Sequence, residues 1–379
     1  MKVKKIGIIS ELNLNNVNYG NRLQAFALNK YLNSMGKYKV ESVLLKKHDE
    51  KIFTKKIITT RLKIWLLSIK QKIFTNKLEK YFASRLENCN NFTKNNTILS
   101  SKEYTRKMLE ESDYDIFIVG SDVVWAQKNN SVNRIRFLDI KKRNVKKISY
   151  AASFGQDWIP EENKKVIKEK LNSFDAISVR EKSSIELLEN IGIKHIVHTC
   201  DPTLLIDKTE WKKLSKKPQD FQLCDKYIFV YLLGKDKNQR DEIKRIAKQE
   251  NLKIVNIPHA NGIISDVDYD FSDVNIDDCS PENWIWLIEN CEYFFTDSFH
   301  GSIFATIFEK KFLILTREGK QNINNRMIDY MDTIDSKDKF VNIKNITDIK
   351  NIKWDYSIIK IKIENLKKES KKFLTNTLN

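Results

Sequence analysis

Apolar residues along the chain fall in short runs separated by polar stretches, and the runs alternate between two spacings. Ile6-Gly7-Ile8-Ile9 is a compact run that reads as a buried strand, and a polar loop follows it through Tyr19-Gly20. Leu23, Phe26, Ala27 and Tyr31 then recur at helical spacing. The alternation returns at Tyr114–Val119, which ends in Gly120-Ser121-Asp122, and at Lys147–Ala151, which ends in Ala152-Ser153-Phe154-Gly155. It returns again at Asp175–Val179, which ends in Arg180-Glu181 and leads into a helix carrying Ile185, Leu188 and Ile191.

A second series starts after about residue 207. Tyr227–Leu233 and Leu252–Ile257 read as strands on either side of a charged helix, Arg240–Glu250. Ser280-Pro281-Glu282 supplies an N-cap, an N1 proline and an early acid. Trp284, Leu287, Ile288 and Cys291 then follow on one helical face. The strand Glu292–Thr296 runs into Asp297-Ser298-Phe299-His300-Gly301, followed by a helix through Phe304–Phe308 and the strand Phe312–Leu315. Ile359, Ile363, Leu366 and Phe373 predict a C-terminal helix that packs back across one of the domains.

Short strands alternating with amphipathic helices predict a parallel α/β architecture. The expectation is two Rossmann-like doubly wound domains facing a cleft, residues 1–206 and 207–379, with a basic helical insertion at about 48–110 in the first. Ligands of such sheets lie outside the carboxyl ends of the strands. Tyr19, Gly20, Asn21, Gln24, Ser121, Asp122, Ser153 and Arg180 would therefore line one rim, and the loop Asp297–Ser302 would face them.

Within that loop the N–H groups of Gly301 and Ser302 are expected at a helix start, where unpaired donors and the positive dipole end favour an anion. His300 could reach the same anion as cation or proton donor. The alternative is a histidine satisfied by a nearby carbonyl, with Asp297 capping the helix. Arg180 would point its fork into the crevice, where carboxylates and phosphates are held bidentately, or else pair with Glu181 at the surface. Asp122 would accept a proton from a hydroxyl, or hydrogen-bond its own turn. Asn18–Ala25 places a glycine at a helix start, a weaker signal than a dinucleotide fingerprint. His48, His195, His198 and His259 show no partner pattern and receive no role.

Charge widens the range of partners before it narrows it. The chain holds 67 basic and 50 acidic residues, a net charge of +17, which favours anionic partners. No helix-turn-helix, RNP or KH pattern supports nucleic acid. Between Lys51 and Arg85 stand ten Lys or Arg and a single acid, Glu79, around Ile64-Trp65-Leu66-Leu67 and Ile69. Such a stretch can lie on an anionic membrane surface, or form a solvated helical face. With 41% hydrophobic residues the chain is not mainly disordered. No stretch approaches the ~18–20 apolar residues of a membrane span, and the N-terminal apolar run is too short for a secretory signal. A cytoplasmic location, peripheral to the inner membrane face if the basic segment docks there, is the expectation. Cys89, Cys200, Cys224, Cys279 and Cys291 are dispersed, so reduced thiols and no metal site are expected.

Six ordered segments carry a family resemblance: NYGNRLQAFAL at Asn18–Leu28, VGSDVVW at Val119–Trp125, ISYAASFG at Ile148–Gly155, ISVREKSSIELL at Ile177–Leu188, DPTLL at Asp201–Leu205 and TDSFHGSIFATIF at Thr296–Phe308. Together they resemble the polysaccharide pyruvyl transferase family, from about Lys5 to about Tyr330. The resemblance implies a fold similar to B-type glycosyltransferases, with phosphoenolpyruvate as donor substrate and no further cofactor. It implies a saccharide acceptor, often on a polyprenyl-diphosphate carrier, and a cyclic pyruvate ketal product of surface polysaccharide biosynthesis. An acceptor-side first domain and a donor-side second domain would follow.

The family's donor contacts fall here on Arg180, His300 and the backbone beside Phe299. His300 would be the general acid, and Asp122 the base that orients the acceptor hydroxyl. Gly301 and Ser302 would complete the anion cradle. Ser298 stands where some members carry arginine, a loss that Arg317 or Arg326 could make good. Many members read SDQVWN where this chain has Ser121-Asp122-Val123-Val124-Trp125-Ala126, which implies a different set of acceptor contacts. The competing expectations are a nucleotide-sugar glycosyltransferase of the same fold and a membrane-docked scaffold.

Overall fold

The computed structural model describes residues 3–46, 82–127, 132–219, 221–222, 226–260, 262, 265–317 and 321–379. Two all-parallel sheets organise the chain. The first contains β1 (Lys4–Ile9), β2 (Tyr38–Leu45), β3 (Leu99–Tyr104), β4 (Ile116–Asp122), β5 (Lys146–Ala152), β6 (Ala176–Val179) and β7 (Ile196–His198), in the order β3-β2-β1-β4-β5-β6-β7. The second contains β8 (Tyr227–Tyr231), β9 (Lys253–Asn256), β10 (Val274–Asn275), β11 (Tyr293–Thr296), β12 (Lys311–Leu315) and β13 (Phe340–Val341), in the order β10-β9-β8-β11-β12-β13. Each order reverses once, between β1 and β4 and between β8 and β11. Those reversals open the crevices in which ligands of doubly wound sheets are held.

Burial explains why the central strands are apolar throughout. All seven residues of β4 and all five of β8 are buried, because helices cover both faces of each sheet. One outer core layer packs on the first sheet around Phe117, Trp125 and Phe154, and another on the second around Ile228, Phe295 and Leu313. The largest cluster runs continuously between the sheets, from Ile6, Ile118 and Ile148 to Phe229, Phe294 and Ile314. Helix α1 (Tyr19–Ser34) lies within it: Phe26 packs edge-on against Trp211, and Tyr19 stacks against Trp284 of the second domain. The domains thus share apolar surface as well as a crevice.

The end of the insertion and the course of the C-terminal helix differ from the sequence expectation. Residues 99–110 are not part of an insertion, because β3 pairs in parallel with β2 at the sheet edge and a short helix, α3 (Arg106–Glu110), follows. Helix α2 spans residues 82–96, and its Arg85, at the end of the basic segment, is fully buried, donating to the carbonyls of Pro258 and Asp277 in the second domain. The rest of that segment, Lys51 to Tyr81, lies outside the described residues, and the membrane-docking expectation with it. The C-terminal helix α11 (Tyr356–Leu378) starts against the second domain, where the Tyr356 hydroxyl donates to Lys310 O at 2.6 Å. It ends against the first, where Ser370 Oγ accepts from Cys200 N at 2.8 Å and Tyr38 donates to Leu378 O at 3.0 Å. It therefore straps both domains. Among the described residues no helix is long and apolar enough to cross a membrane.

Candidate active site

The strand ends of the first domain carry hydroxyls where regular ladder contacts break. Pairing of β5 with β6 slips between Ser149 and Ala152, and Ala151 takes φ 49°, a left-handed conformation that costs a residue with a side chain about 1 kcal/mol or more. Side chains take over the displaced bonds. Ser178 Oγ accepts from Ala151 N at 3.0 Å and from Thr199 Oγ1 at 2.9 Å, while Ser121 Oγ donates to Ala151 O at 3.0 Å. Gly120 allows β4 to approach Tyr150 O so closely that a Cβ there would overlap it. Asp122, also left-handed at φ 63°, then turns its carboxylate off the strand. Ser153 Oγ accepts from Gly155 N at 3.0 Å and so holds the loop after β5.

This rim presents a buried cluster of charges. Arg180, directly after β6, donates from Nε to Glu181 at 2.8 Å and from Nη1 to Asp201 Oδ2 at 3.0 Å, and Asp122 lies 3.6 Å from the same Nη1. Asp201 heads a 3-10 turn, Pro202–Leu205, and its other oxygen accepts from Thr203 N and Thr203 Oγ1 at 3.0 and 2.8 Å. Sequence reasoning assigned no role to Asp201 and read Glu181 only as a surface partner, although DPTLL and SVRE were both visible landmarks. Burial opposes ionisation of Asp201, but His300, Arg180 and the Thr203 N–H outweigh it and hold the carboxyl well below the usual carboxylate range. Asp122 follows the same logic: burial raises it, and His300, Arg180 and Arg326 bring it below its ordinary value. Both are carboxylates at neutral pH. Arg180 in turn is pushed up, burial being outweighed by Glu181, Asp122 and Asp201.

The second domain supplies helix α9 (Phe299–Ile307) to the same place. Its N-cap is Ser298, whose Oγ accepts from Gly301 N at 3.3 Å, and Ser302 N donates to Ser298 O at 3.0 Å. The amides of Gly301 and Ser302 are thus consumed within the helix start. Phe299 and His300, the first two helical residues, are the positions whose N–H groups have no acceptor within the helix. Asp297 does not cap. Its carboxylate accepts from Leu233 N and Gly234 N, both at 2.7 Å, and from Arg317 Nε at 2.8 Å, so acid and arginine lock each other into the end of the second sheet.

His300 crosses the interface. Its ring packs on Gly20 at the start of α1, where any Cβ would overlap it, and its Nε2 lies 3.5 Å from Asp201 Oδ2. That spacing is too long for a good hydrogen bond, and Nε2 is buried with no hydrogen-bond partner among the described residues. The residues around Gly20 support this approach. The Tyr19 hydroxyl donates to Cys279 O at 2.9 Å, Asn21 Oδ1 accepts from Asn13 N at 3.3 Å, and Gln24 Nε2 donates to Asn21 O at 3.1 Å. These side chains shape the helix start; none of the three bonds reaches His300.

Of the two arginines that could replace one at Ser298, Arg317 is bound to Asp297. Arg326, on helix α10 (Gln321–Thr333), faces the cluster instead, 3.8 Å from Asp122. Both site arginines lie by the Phe299 ring, with the Arg180 guanidinium centred 4.0 Å and that of Arg326 5.9 Å from its centroid. Among the described residues, three buried nitrogens of the cluster have no hydrogen-bond partner, Arg180 Nη2, Arg326 Nε and His300 Nε2, as has one acceptor, Glu181 Oε2. Buried polar groups left open in this way are costly in isolation.

Comparison with known proteins agrees with this geometry at the level of fold and family. The crystal structure of a putative UDP-N-acetylglucosamine 2-epimerase from Listeria monocytogenes is similar at TM-score 0.52 and 12% identity, covering 89% of this chain and 90% of its own. The UDP-GlcNAc 2-epimerase of Methanocaldococcus jannaschii is similar at TM-score 0.52 and 12% identity, covering 95% and 92%. The Neisseria meningitidis enzyme, bound to UDP-GlcNAc, gives TM-score 0.50 and 14% identity, covering 96% and 100%. At these identities the likeness is one of fold, two parallel sheets with alternating helices. No curated protein matches the sequence. Residues 18–319, a span that includes Gly20, Asp122, Arg180, Asp201 and His300, match polysaccharide pyruvyl transferase, and the chain belongs to that family.

Proposed function

We propose that the protein transfers the enolpyruvyl group of phosphoenolpyruvate to two hydroxyls of a saccharide, closing a cyclic pyruvate ketal for a surface polysaccharide. The observation that carries this reading is the set of three unpartnered buried donors, Arg180 Nη2, Arg326 Nε and His300 Nε2, around Phe299. Phosphoenolpyruvate is a compact anion with a carboxylate and a phosphate, and two guanidinium forks with one imidazole match those groups. Because Arg180 comes from the first domain and the other two donors from the second, the donor would sit between the domains.

The chemistry then divides among the residues present. His300 Nε2 delivers a proton to the methylene carbon, and positive charge builds at the adjacent carbon. A sugar hydroxyl attacks that carbon and its proton passes to Asp122 Oδ1, which is ionised and orients it. Phosphate leaves with the bridging oxygen and takes the proton held on Asp122, and the second hydroxyl closes the ring as its proton passes to His300 Nε2. The sum is one donor and one diol giving a ketal and inorganic phosphate. Neither metal nor cofactor enters this sequence, and a saccharide on a lipid carrier would serve as acceptor equally well.

A thermal-shift titration with phosphoenolpyruvate, UDP, GDP and CMP tests the reading. A ligand at about 100 times its Kd stabilises the folded state by ~2.7 kcal/mol. Phosphoenolpyruvate alone should raise the Tm of the wild type, and less so that of His300→Ala. A rise with a nucleotide and none with phosphoenolpyruvate overturns it in favour of a nucleotide-sugar glycosyltransferase.

A further inference from the structure

Helix α10 has one side in the shared core, where Met327, Tyr330 and Met331 are buried. Its other side lies across the strand ends of the first domain. Asn325 Nδ2 donates to Asp157 Oδ2 at 2.7 Å, in the loop after β5. Arg326 reaches Asp122 at the end of β4. Asp329, nearly one turn on, accepts from the backbone N–H groups of Lys182 and Ser183, at 3.1 and 3.0 Å, directly after β6. Three successive strands of the first sheet are thus met by one helix of the second domain.

The Asp329 contact has the form of a helix cap supplied from the other domain. Lys182 and Ser183 open helix α5 (Lys182–Glu189), and its N-cap residue, Glu181, makes no capping bond. Glu181 Oε1 accepts from Arg180 Nε instead, and its Oε2 is buried without a hydrogen-bond partner among the described residues. The two N–H groups would otherwise lack a protein acceptor, and a carboxylate is the group best suited to them, because it also meets the positive end of the helix. Asp329, rather than the N-cap residue Glu181, therefore serves the start of α5.

We infer that Asp329 is a positioning residue for donor binding: by capping α5 across the interface it docks α10 and so places the Arg326 guanidinium beside Phe299. The inference rests on the phosphoenolpyruvate reading, since Arg326 matters only if an anion is bound there. Both Asp329 oxygens accept from the α5 backbone. The effect of Asp329 passes through Arg326, and this separates it from a group that merely stabilises the fold.

A double-mutant cycle reads that difference. Calorimetric Kd values for phosphoenolpyruvate would be measured for wild type, Asp329→Ala, Arg326→Ala and the double variant. Asp329→Ala should weaken binding about tenfold, the factor that ~1.4 kcal/mol gives. In the Arg326→Ala background the same change should cost less than about twofold, a near-complete coupling. Asp329→Asn keeps one of the two accepting oxygens and turns an NH2 toward the other N–H, so it should recover only part of the affinity, and the thermal unfolding transition of each variant shows that it is folded. Equal losses in both backgrounds, or no loss in either, overturn the positioning role while leaving the functional reading in place. A wild type that does not bind phosphoenolpyruvate overturns both.

Discussion

At the end of β11 the Asp297 carboxylate accepts from Leu233 N, Gly234 N and Arg317, while at the ends of β6 and β7 Arg180 and Asp201 meet with donors still to spare. Both places pair an arginine, buried at 180 and partly buried at 317, with a buried aspartate at the carboxyl edge of a parallel sheet. The second-domain pair is closed, with two backbone donors and one fork on one carboxylate. The first-domain cluster is open: three carboxylates surround Arg180, yet among the described residues Arg180 Nη2, the nearby Arg326 Nε and His300 Nε2, and Glu181 Oε2 make no hydrogen bond. A closed pair contributes to fold stability and specificity. An open cluster keeps unsatisfied donors at a cost to stability, which is what a site for an anionic ligand requires.

The largest effect should come from removing the centre of the open cluster. Arg180→Ala leaves Glu181, Asp122 and Asp201 without their shared counter-charge, and breaking a buried ion pair from one side costs about 3–5 kcal/mol. Denaturant unfolding should show that loss, and calorimetry of the folded fraction should show no binding of phosphoenolpyruvate. A variant of unchanged stability would mean that the carboxylates are not held by Arg180.

A smaller effect follows from the depressed Asp201 carboxyl. A group whose folded-state pKa is lowered adds stability above its unfolded value, near ~4, and loses it as pH falls through the folded value. Asp201→Asn should therefore differ from wild type by about 1–3 kcal/mol at neutral pH. The difference should narrow as pH falls below ~4. Unfolding curves collected from pH 7 to pH 2 would show a constant gap if Asp201 were not held ionised by its neighbours.

The sequence made the central architecture legible because buried parallel strands are apolar throughout. IFIV in β4, YIFVY in β8 and KFLIL in β12 have no other reading once polar loops bracket them. The capping box of α8 (Pro281–Asn290), with Ser280 and Asn283 bonded reciprocally, was equally visible as Ser280-Pro281. Edge strands were not. LSSKEY in β3 alternates weakly because one side faces solvent, and IVH in β7 is too short for any period. In the site, Arg180, Asp122 and His300 could be placed by their positions after strands. Asp201 could not, since its partners Arg180 and Ser121 lie 21 and 80 residues away and meet it only through the fold. The division between Arg317 and Arg326 was likewise invisible, because Asp297 chooses one of them by geometry alone.

The contrast between closed and open clusters is tested most directly by calorimetric titration of phosphoenolpyruvate into wild type, Arg326→Ala and Asp297→Asn. Loss of a charge-assisted bond in Arg326→Ala should weaken binding by about tenfold or more. Asp297→Asn should lower Tm yet keep Kd within about threefold of wild type, because its partners are structural. Full affinity in Arg326→Ala together with lost affinity in Asp297→Asn would place the anion at the second sheet's edge and contradict the account.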